Sequence, residues 1–367
     1  MQLELPLSAI CGQLVIGGFY GTELPESFAK ALARKERGGA ILFKRNIVGE
    51  DLSQLARLNA SLRDACAPDL PPLIGVDQEG GRVARLPSPV LTIPPMRALA
   101  QAGRVDLVQR AARALGVQLR ALGFTMNFAP VLDVNTCVEN PVIGDRSFGS
   151  DPRVVMRFGV AYVRGLQDGG ILACGKHFPG HGDTSTDSHH DLPIVHHERA
   201  RLEQVELPPF RAAAGAGIAA FMTAHVVYEG IDSDVPATMS RAICGSLLRA
   251  EIGFEGALIS DDLEMKAIAL RYSIEEAAVE AVWAGCDALL VCSDEELQSR
   301  AYAALLTRAE KDSKFRARCV EAAQRGLRVR RTVRPDPLPP ESILAILHGP
   351  TAVALEKELA SAARLPS

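Results

Sequence analysis

Eight short apolar runs, separated mostly by longer amphipathic stretches, constrain this chain more than any other feature of it. The runs are 12–19, 40–43, 73–76, 125–134, 171–175, 219–224, 257–260 and 288–292. Between them, 25–37, 51–65, 105–122, 152–167, 207–216, 240–252 and 273–284 carry apolar residues at helical spacing. A strand that returns through a helix pairs parallel with the next strand. Eight such strands predict a closed α/β fold, the (β/α)8 TIM-type barrel, whose core takes about 250 residues plus insertions. An open doubly wound sheet is the competitor. No Gly-x-Gly-x-x-Gly follows the first run, which counts against its dinucleotide-binding form. The barrel is expected to span 1–331 as a single domain. In 332–367, the prolines Pro335, Pro337, Pro339 and Pro340 read as a stiff linker. Beyond them, 341–363 reads as one or two helices interrupted at Gly349-Pro350, a C-terminal tail that packs on the barrel or mediates self-association.

Composition narrows the partners. With 47% hydrophobic and 23% charged residues the chain can bury a large core and is not disordered. Its net charge is −4 and it has no basic stripe, so nucleic acid is not expected. No apolar run reaches the ~20 residues of a membrane span, and residues 1–6 lack the basic, apolar pattern of a secretory signal. The cysteines Cys11, Cys66, Cys137, Cys174, Cys244, Cys286, Cys292 and Cys319 are scattered and form no Cys-x-x-Cys pair. Buried free thiols in a reducing cytoplasm fit better than a disulfide framework or a zinc ribbon. The chain is expected to be cytoplasmic, a monomer or weak homo-oligomer acting on a small molecule.

Six of the eight histidines fall between 177 and 197, most of them in the run Lys176-His177-Phe178-Pro179-Gly180-His181-Gly182-Asp183-Thr184-Ser185-Thr186-Asp187-Ser188-His189-His190-Asp191. Imidazoles titrate near neutrality, and here they are interleaved with carboxylates and glycines, as in an active-site loop. Other chemistry gathers at strand ends. The third run leads into Asp77-Gln78-Glu79-Gly80-Gly81-Arg82, with Arg85 just after. The fourth holds Asn127 to Val134 and is followed by Gly144-Asp145-Arg146-Ser147. The fifth ends in Lys176-His177, the sixth near His225, the seventh in Ser260-Asp261-Asp262-Leu263-Glu264-Met265. One Asp after a strand is most simply a helix cap. Five charged strand ends point to a site on the carboxyl-terminal face of a barrel.

Several motif readings fail. Gly170 to Lys176 has phosphate-loop spacing, but His177 follows the lysine and the intervening residues are apolar. His177 and His181 are four apart, yet Pro179, Gly180 and Gly182 forbid the helix that zinc ligation at this spacing requires. His197-Glu198 lacks the second histidine of a zincin. A metal held by Asp183, His189, His190 and Asp191 is an alternative that would need a rigid site. In an extended loop Asp187 and His189 point the same way. The carboxylate then fixes the imidazole tautomer and leaves its other nitrogen for proton transfer; a solvated loop with accidental spacing is the plain alternative. Asp261 is the rigid anion such a couple needs, with Asp262 expected to point away as a cap. Asp77, Arg85, Lys176 and His177 suit sugar hydroxyls. A fixed carboxylate facing a proton donor is the arrangement of retaining glycoside hydrolysis.

These residues lie in six ordered motifs: 74–83, 127–134, 145–148, 176–182, 187–189 and 260–265. Through them, residues 8–330 resemble glycoside hydrolase family 3, specifically the bacterial β-N-acetylglucosaminidases of peptidoglycan recycling. The resemblance implies Asp261 as nucleophile, His189 as acid/base and Asp187 as its partner. It implies Asp77, Arg85, Arg146, Lys176 and His177 as ligands of N-acetylglucosamine in the −1 subsite, with no cofactor. The implied substrate is a β-linked N-acetylglucosaminyl-(1,6-anhydro)muramic acid fragment, with or without peptide. A phosphorylase, a β-glucosidase, a metal-dependent hydrolase and a carbohydrate-binding barrel that has lost catalysis are the competing readings. The last predicts substituted catalytic residues, whereas Asp187, His189 and Asp261 are all present.

Overall fold

The computed structural model of the chain describes residues 4–184, 192–334 and 336–364. Its centre is a closed barrel of eight strands: β1 Val15–Gly17, β2 Gly39–Leu42, β3 Leu73–Val76, β4 Met126–Asn127, β5 Leu172–Phe178, β6 Ala220–Thr223, β7 Ala257–Asp262 and β8 Ala288–Val291. Neighbours follow chain order, every pair is parallel, and β8 closes on β1 through Val15 opposite Leu289. A strand covered on both faces needs apolar side chains on both, so these segments read as continuous apolar runs rather than alternating ones. The barrel interior is filled by side chains from every strand, among them Ile16, Ile41, Leu73, Met126, Leu172, Met222, Ile259 and Leu290. It is therefore a packed core rather than a pore.

Helices return between strands: α1 Glu26–Ala33, α2 Leu52–Asp64, α3 Val105–Ala121, α4 Pro152–Asp168, α5 Leu207–Gly215, α6 Ala242–Glu251, α7 Ile274–Ala284, α8 Glu295–Lys311 and α9 Ser313–Arg330. Their starts are chemically marked. Asp51 accepts from the Gln54 N–H, Asp151 precedes Pro152 at the first helical position, and Ser273 and Glu276 form a reciprocal capping box. Helix α6 is wound as a π-helix. The sequence reading did not name α8 and α9, although Asp294 and Asp312 cap them in the same way.

Two apolar runs are shorter as strands than expected. Residues Leu7–Gly12 are helical, so the first strand starts only at Val15. The fourth run pairs as a strand only over Met126–Asn127. Pro130 has no N–H to give the ladder, and the chain continues through isolated contacts: Lys176 N–H donates to the Pro130 carbonyl and Leu132 N–H to that of Lys176.

The tail forms helices Pro340–Leu347 and Pro350–Ala362, broken at Gly349-Pro350 as the sequence suggests. They lie against α3, burying Ile343, Leu347, Leu355 and Leu359, while Glu358 pairs with Arg104 and Arg110. Among the described residues no helix is long and apolar enough to cross a membrane. All eight cysteines are free, as expected; six are buried, while Cys66 and Cys137 are partly exposed.

Candidate active site

At the carboxyl ends of the strands a cavity of about 230 Å³ opens. Its polar wall is Asp77, Glu79, Arg85, Arg146, Lys176, His177, His181, Asp261 and Asp262, and its apolar wall includes Ile41, Phe43, Met222, Met265 and Leu290. Of the residues singled out from sequence, Asp77, Arg85, Arg146, Lys176, His177 and Asp261 thus share one cavity. Asp187 and His189 lie outside the described residues, as do His190 and Asp191 of the metal alternative. Among the described residues no group of three or more His, Cys, Asp or Glu is arranged to hold a metal ion. Asp183 is engaged by the Thr136 hydroxyl and by His197 Nε2.

The acidic corner is built by a hairpin after β3. Gln78 accepts the Arg85 and Leu86 N–H groups on its side-chain oxygen (2.8 and 3.0 Å), and its own backbone is clasped by the Asn127 amide. The hairpin turns at Gly80 (φ +113°) and Gly81 (φ +54°), a left-handed path; a Cβ at Gly80 would also press on the Ile93 carbonyl at 2.9 Å. Asp77 and Glu79 thereby flank Lys176, whose Nζ lies 2.7 and 2.6 Å from their carboxylates. Arg146 holds Glu79 with both arms of its guanidinium, at 2.9 and 2.8 Å. Arg85 stands 3.6 Å from Asp77. Burial opposes the Glu79 charge, but Arg146 and Lys176 outweigh it and hold the carboxyl far below its ordinary range. Burial likewise opposes the charge of Lys176, but Asp77 and Glu79 outweigh it and raise its pKa.

Asp133, fully buried, organises the histidines. It accepts the backbone N–H groups of His177 (3.1 Å) and His181 (2.6 Å) and meets His177 Nδ1 at 2.7 Å. Burial would raise its pKa, yet the His177 field and hydrogen bond keep it low. An ionised Asp133 requires a proton on Nδ1, which turns Nε2 toward other partners. Gly182 lets the chain pass here: a Cβ would sit 1.8 Å from the Val134 carbonyl. His181 is pushed down to about 4 by burial and then by the His177 charge.

Asp261 and Asp262 end β7. Strict alternation sends consecutive residues to opposite faces, so Asp262 was expected to point away. Both line the cavity, because the β7–β8 register shifts between Ile259 and Asp262; such irregularities re-aim side chains. A matching shift between Gly175 and Phe178 on β5 lets Lys176 and His177 both face inward. Nor does Asp262 cap a helix: its Oδ1 accepts the Glu264 and Cys292 N–H groups at 3.1 and 3.2 Å and so holds the turn after β7, while the next helix, Lys266–Ala269, follows Met265 with no side-chain cap. Asp261 is half-buried, and its partial burial favours the neutral form, but the fields of His225 and His177 and the Asp262 N–H hold its pKa below the ordinary value. Its ionised form is thereby favoured, the state a carboxylate nucleophile requires. His225 steadies the same strand end through the Asp262 carbonyl (2.9 Å). The sequence reading gave no role to Glu79, Asp133, His181 or His225. The first three stood inside motifs it quoted and His225 at the end of the sixth run, but only the three-dimensional pairing distinguishes them.

Asp262 sets a pH dependence. Burial, then the charge of Glu264, pushes it up to about 7. Between the ordinary 3.8 and 7 the native state therefore binds a proton that the unfolded chain does not. That contribution is complete below 3.8 and is lost as pH rises through 7. Asp262→Asn should raise Tm relative to the parent at pH 8 by a few degrees and leave it nearly unchanged at pH 4, since the oppositely signed dependence of His181 is common to both proteins. Equal differences at the two pH values would show that Asp262 is not protonated in the fold.

Residues 7–329 match the model of the glycosyl hydrolase family 3 N-terminal domain. A protein named beta-hexosaminidase from Thiobacillus denitrificans is 42% identical over 292 residues, 78% of this chain and 79% of that one. A namesake from Nitrosomonas eutropha is 41% identical over 282 residues, 75% and 79% of the two chains. Among solved structures, a glycoside hydrolase family 3 beta-N-acetylglucosaminidase from Paenibacillus sp. superposes with a TM-score of 0.89 at 40% identity, over 98% of this chain and 69% of that one. NagZ from Neisseria gonorrhoeae, in complex with N-trifluoroacetyl-D-glucosamine, gives 0.80 at 32%, over 95% and 98%. An eight-stranded parallel barrel with a charged cavity at its mouth, and a family model matched from the first helix to the last turn of α9, lead to one assignment: the chain belongs to glycosyl hydrolase family 3.

Proposed function

We propose that this enzyme is a retaining β-N-acetylhexosaminidase that removes terminal β-linked N-acetylglucosamine through a glycosyl-aspartate. What supports the reading most is one cavity in which an anionic Asp261 stands with Asp77, Arg85, Arg146, Lys176 and His177. The names of the relatives supply the sugar class. In this mechanism the −1 sugar is gripped by the Asp77–Arg85 and Lys176–Arg146 groups, with its anomeric carbon over Asp261. His189, protonated and oriented by Asp187, gives its proton to the leaving oxygen as the aspartate oxygen bonds the anomeric carbon. His189 then takes a proton from water, the water oxygen displaces the aspartate, and two inversions give net retention. The substrates are peptidoglycan-derived fragments, N-acetylglucosaminyl-1,6-anhydromuramic acid with or without peptide, met in the cytoplasm.

The test compares aryl β-glucoside with aryl β-N-acetylglucosaminide in phosphate buffer, with product identification. Free N-acetylglucosamine is the expected product. Its 1-phosphate would make the enzyme a phosphorylase, and a preference for the glucoside would make it a β-glucosidase. His189→Ala should cost far more on poor leaving groups than on activated aryl ones, which need little protonation, by a ratio of about 10²-fold or more. Equal losses on both would remove the acid role.

A further inference from the structure

The two carboxylate oxygens of Asp133 have different partners. Oδ1 accepts the backbone N–H groups of His177 (3.1 Å) and His181 (2.6 Å), and so pins both ends of the turn Phe178-Pro179-Gly180. Oδ2 meets the ring of His177, at Nδ1, 2.7 Å away. The carboxylate is itself fixed in place. Its side chain is fully buried, and the Ser147 hydroxyl donates to the Asp133 carbonyl at 2.6 Å. The His177 side chain is 7% exposed and lines the cavity, with the His181 ring edge-on to it at 5.8 Å between centroids. A ring so enclosed, and held at one nitrogen by a buried carboxylate, keeps one orientation.

Arg85, Arg146 and Lys176 on the same cavity wall can only donate hydrogen bonds. The imidazole of His177 can do either, and its tautomer decides which. A neutral imidazole has a single N–H. An ionised carboxylate only accepts, so Oδ2 takes that N–H at Nδ1 and leaves Nε2 as a bare lone pair, the polar ring atom that remains for the cavity. We infer that Asp133 is a positioning residue of the reaction: through Oδ2 it presents His177 to the sugar as a hydrogen-bond acceptor, so that the hydroxyl meeting Nε2 must donate. Oδ1 meanwhile carries the separate task of holding the turn. The inference rests on the glycosidase reading above and adds to it the polarity of one sugar contact and the residue that sets it.

Asp133→Asn separates the two tasks. The amide oxygen can keep both backbone N–H groups, while the amide nitrogen, a donor, takes the place of Oδ2. Nδ1 must then accept, and the ring proton moves to Nε2. The opposite amide orientation would set its NH2 against two N–H groups. The first measurement is NMR of the full-length enzyme isotope-labelled in its histidine rings, with the His177 signals assigned from their loss in His177→Gln. The neutral ring should carry its proton on Nδ1 in the parent and on Nε2 in Asp133→Asn. A parent protonated on Nε2 would overturn the inference without recourse to any variant. The second measurement is kcat/KM on an aryl β-N-acetylglucosaminide. Asp133→Asn should lower it by about 10- to 100-fold, the scale on which loss of the partner orienting a liganding imidazole is felt. In a His177→Gln background the same substitution should cost less than about twofold, because the group it acts through is gone. An equal loss in that background would make Asp133 a support of the turn alone. Parental kcat/KM in Asp133→Asn with the proton moved would show the sugar indifferent to the tautomer, and would overturn the inference as well. A parent inert on the aryl glycoside would overturn the glycosidase reading instead, with the tautomer result unaffected.

Discussion

Asp261→Asn should lower kcat/KM for an aryl β-N-acetylglucosaminide by about 10³- to 10⁵-fold, the scale on which removal of a covalent nucleophile is felt. The substitution keeps the shape and the oxygen that accepts the Asp262 N–H at 2.8 Å, so the strand end should stay where it is. What it removes is the negative charge that His225, His177 and Lys176 stabilise in a half-buried position. A shortened variant tests the geometry directly. In Asp261→Gly, azide can occupy the vacated position and attack the anomeric carbon from the face the carboxylate used. One displacement at a β-glycoside inverts the centre, so the product should be the α-glycosyl azide, with the aryl alcohol as leaving group. A β-azide, or an Asp261→Asn enzyme near parental activity with contaminating wild-type protein excluded, would move the nucleophile to another residue.

The barrel was legible because its strands are covered on both faces and therefore carry unbroken apolar runs. The positions of β2, β3, β6 and β8 agree with those runs to within a residue or two. The site was legible for a related reason: charge has no place inside such a strand except at its end, so Asp77, Lys176, His177 and Asp261 stood out. What sequence could not supply was geometry set by irregularity. Alternation assigns one of each pair, Lys176–His177 and Asp261–Asp262, to the far face, and it is the register shifts in β5 and β7 that bring both members in. Asp133 and Glu79 escaped for a different reason. Each is an ordinary acidic residue in a motif, and its role comes from partners 44 to 97 positions away, such as His177 and Lys176. The fourth run illustrates the opposite error, since apolar content alone does not tell a paired strand from an extended segment that Pro130 has taken out of the ladder.

Glu79→Ala should destabilise the protein by about 3–5 kcal/mol, the usual cost of removing one partner of a buried ion pair, and lower Tm on the order of 5–10 °C. Both cations it serves are buried: the side chains of Lys176 and Arg146 are 4% and 10% exposed. Lys176 would keep Asp77, but Arg146 would keep only the Val142 carbonyl (3.1 Å) as an assigned partner. Glu79→Gln keeps the shape and one acceptor, loses the charge, and should cost less. The two variants also carry a pH signature. Because the native pKa of Glu79 lies far below its ordinary 4.5, its charge contributes stability that is present above 4.5 and lost as pH falls toward the native value. The parent's advantage over Glu79→Gln in denaturant unfolding should therefore shrink between pH 5 and pH 3. Activity should fall with stability in the alanine variant even at temperatures where it is fully folded, because Lys176, left with Asp77 alone, would draw on the carboxylate proposed above to accept a hydrogen bond from a sugar hydroxyl. An unchanged unfolding midpoint for Glu79→Ala would mean that Lys176 and Arg146 find water or each other's carbonyl partners at no cost, and that the acidic corner is held by the Gln78–Asn127 clasp rather than by its charges.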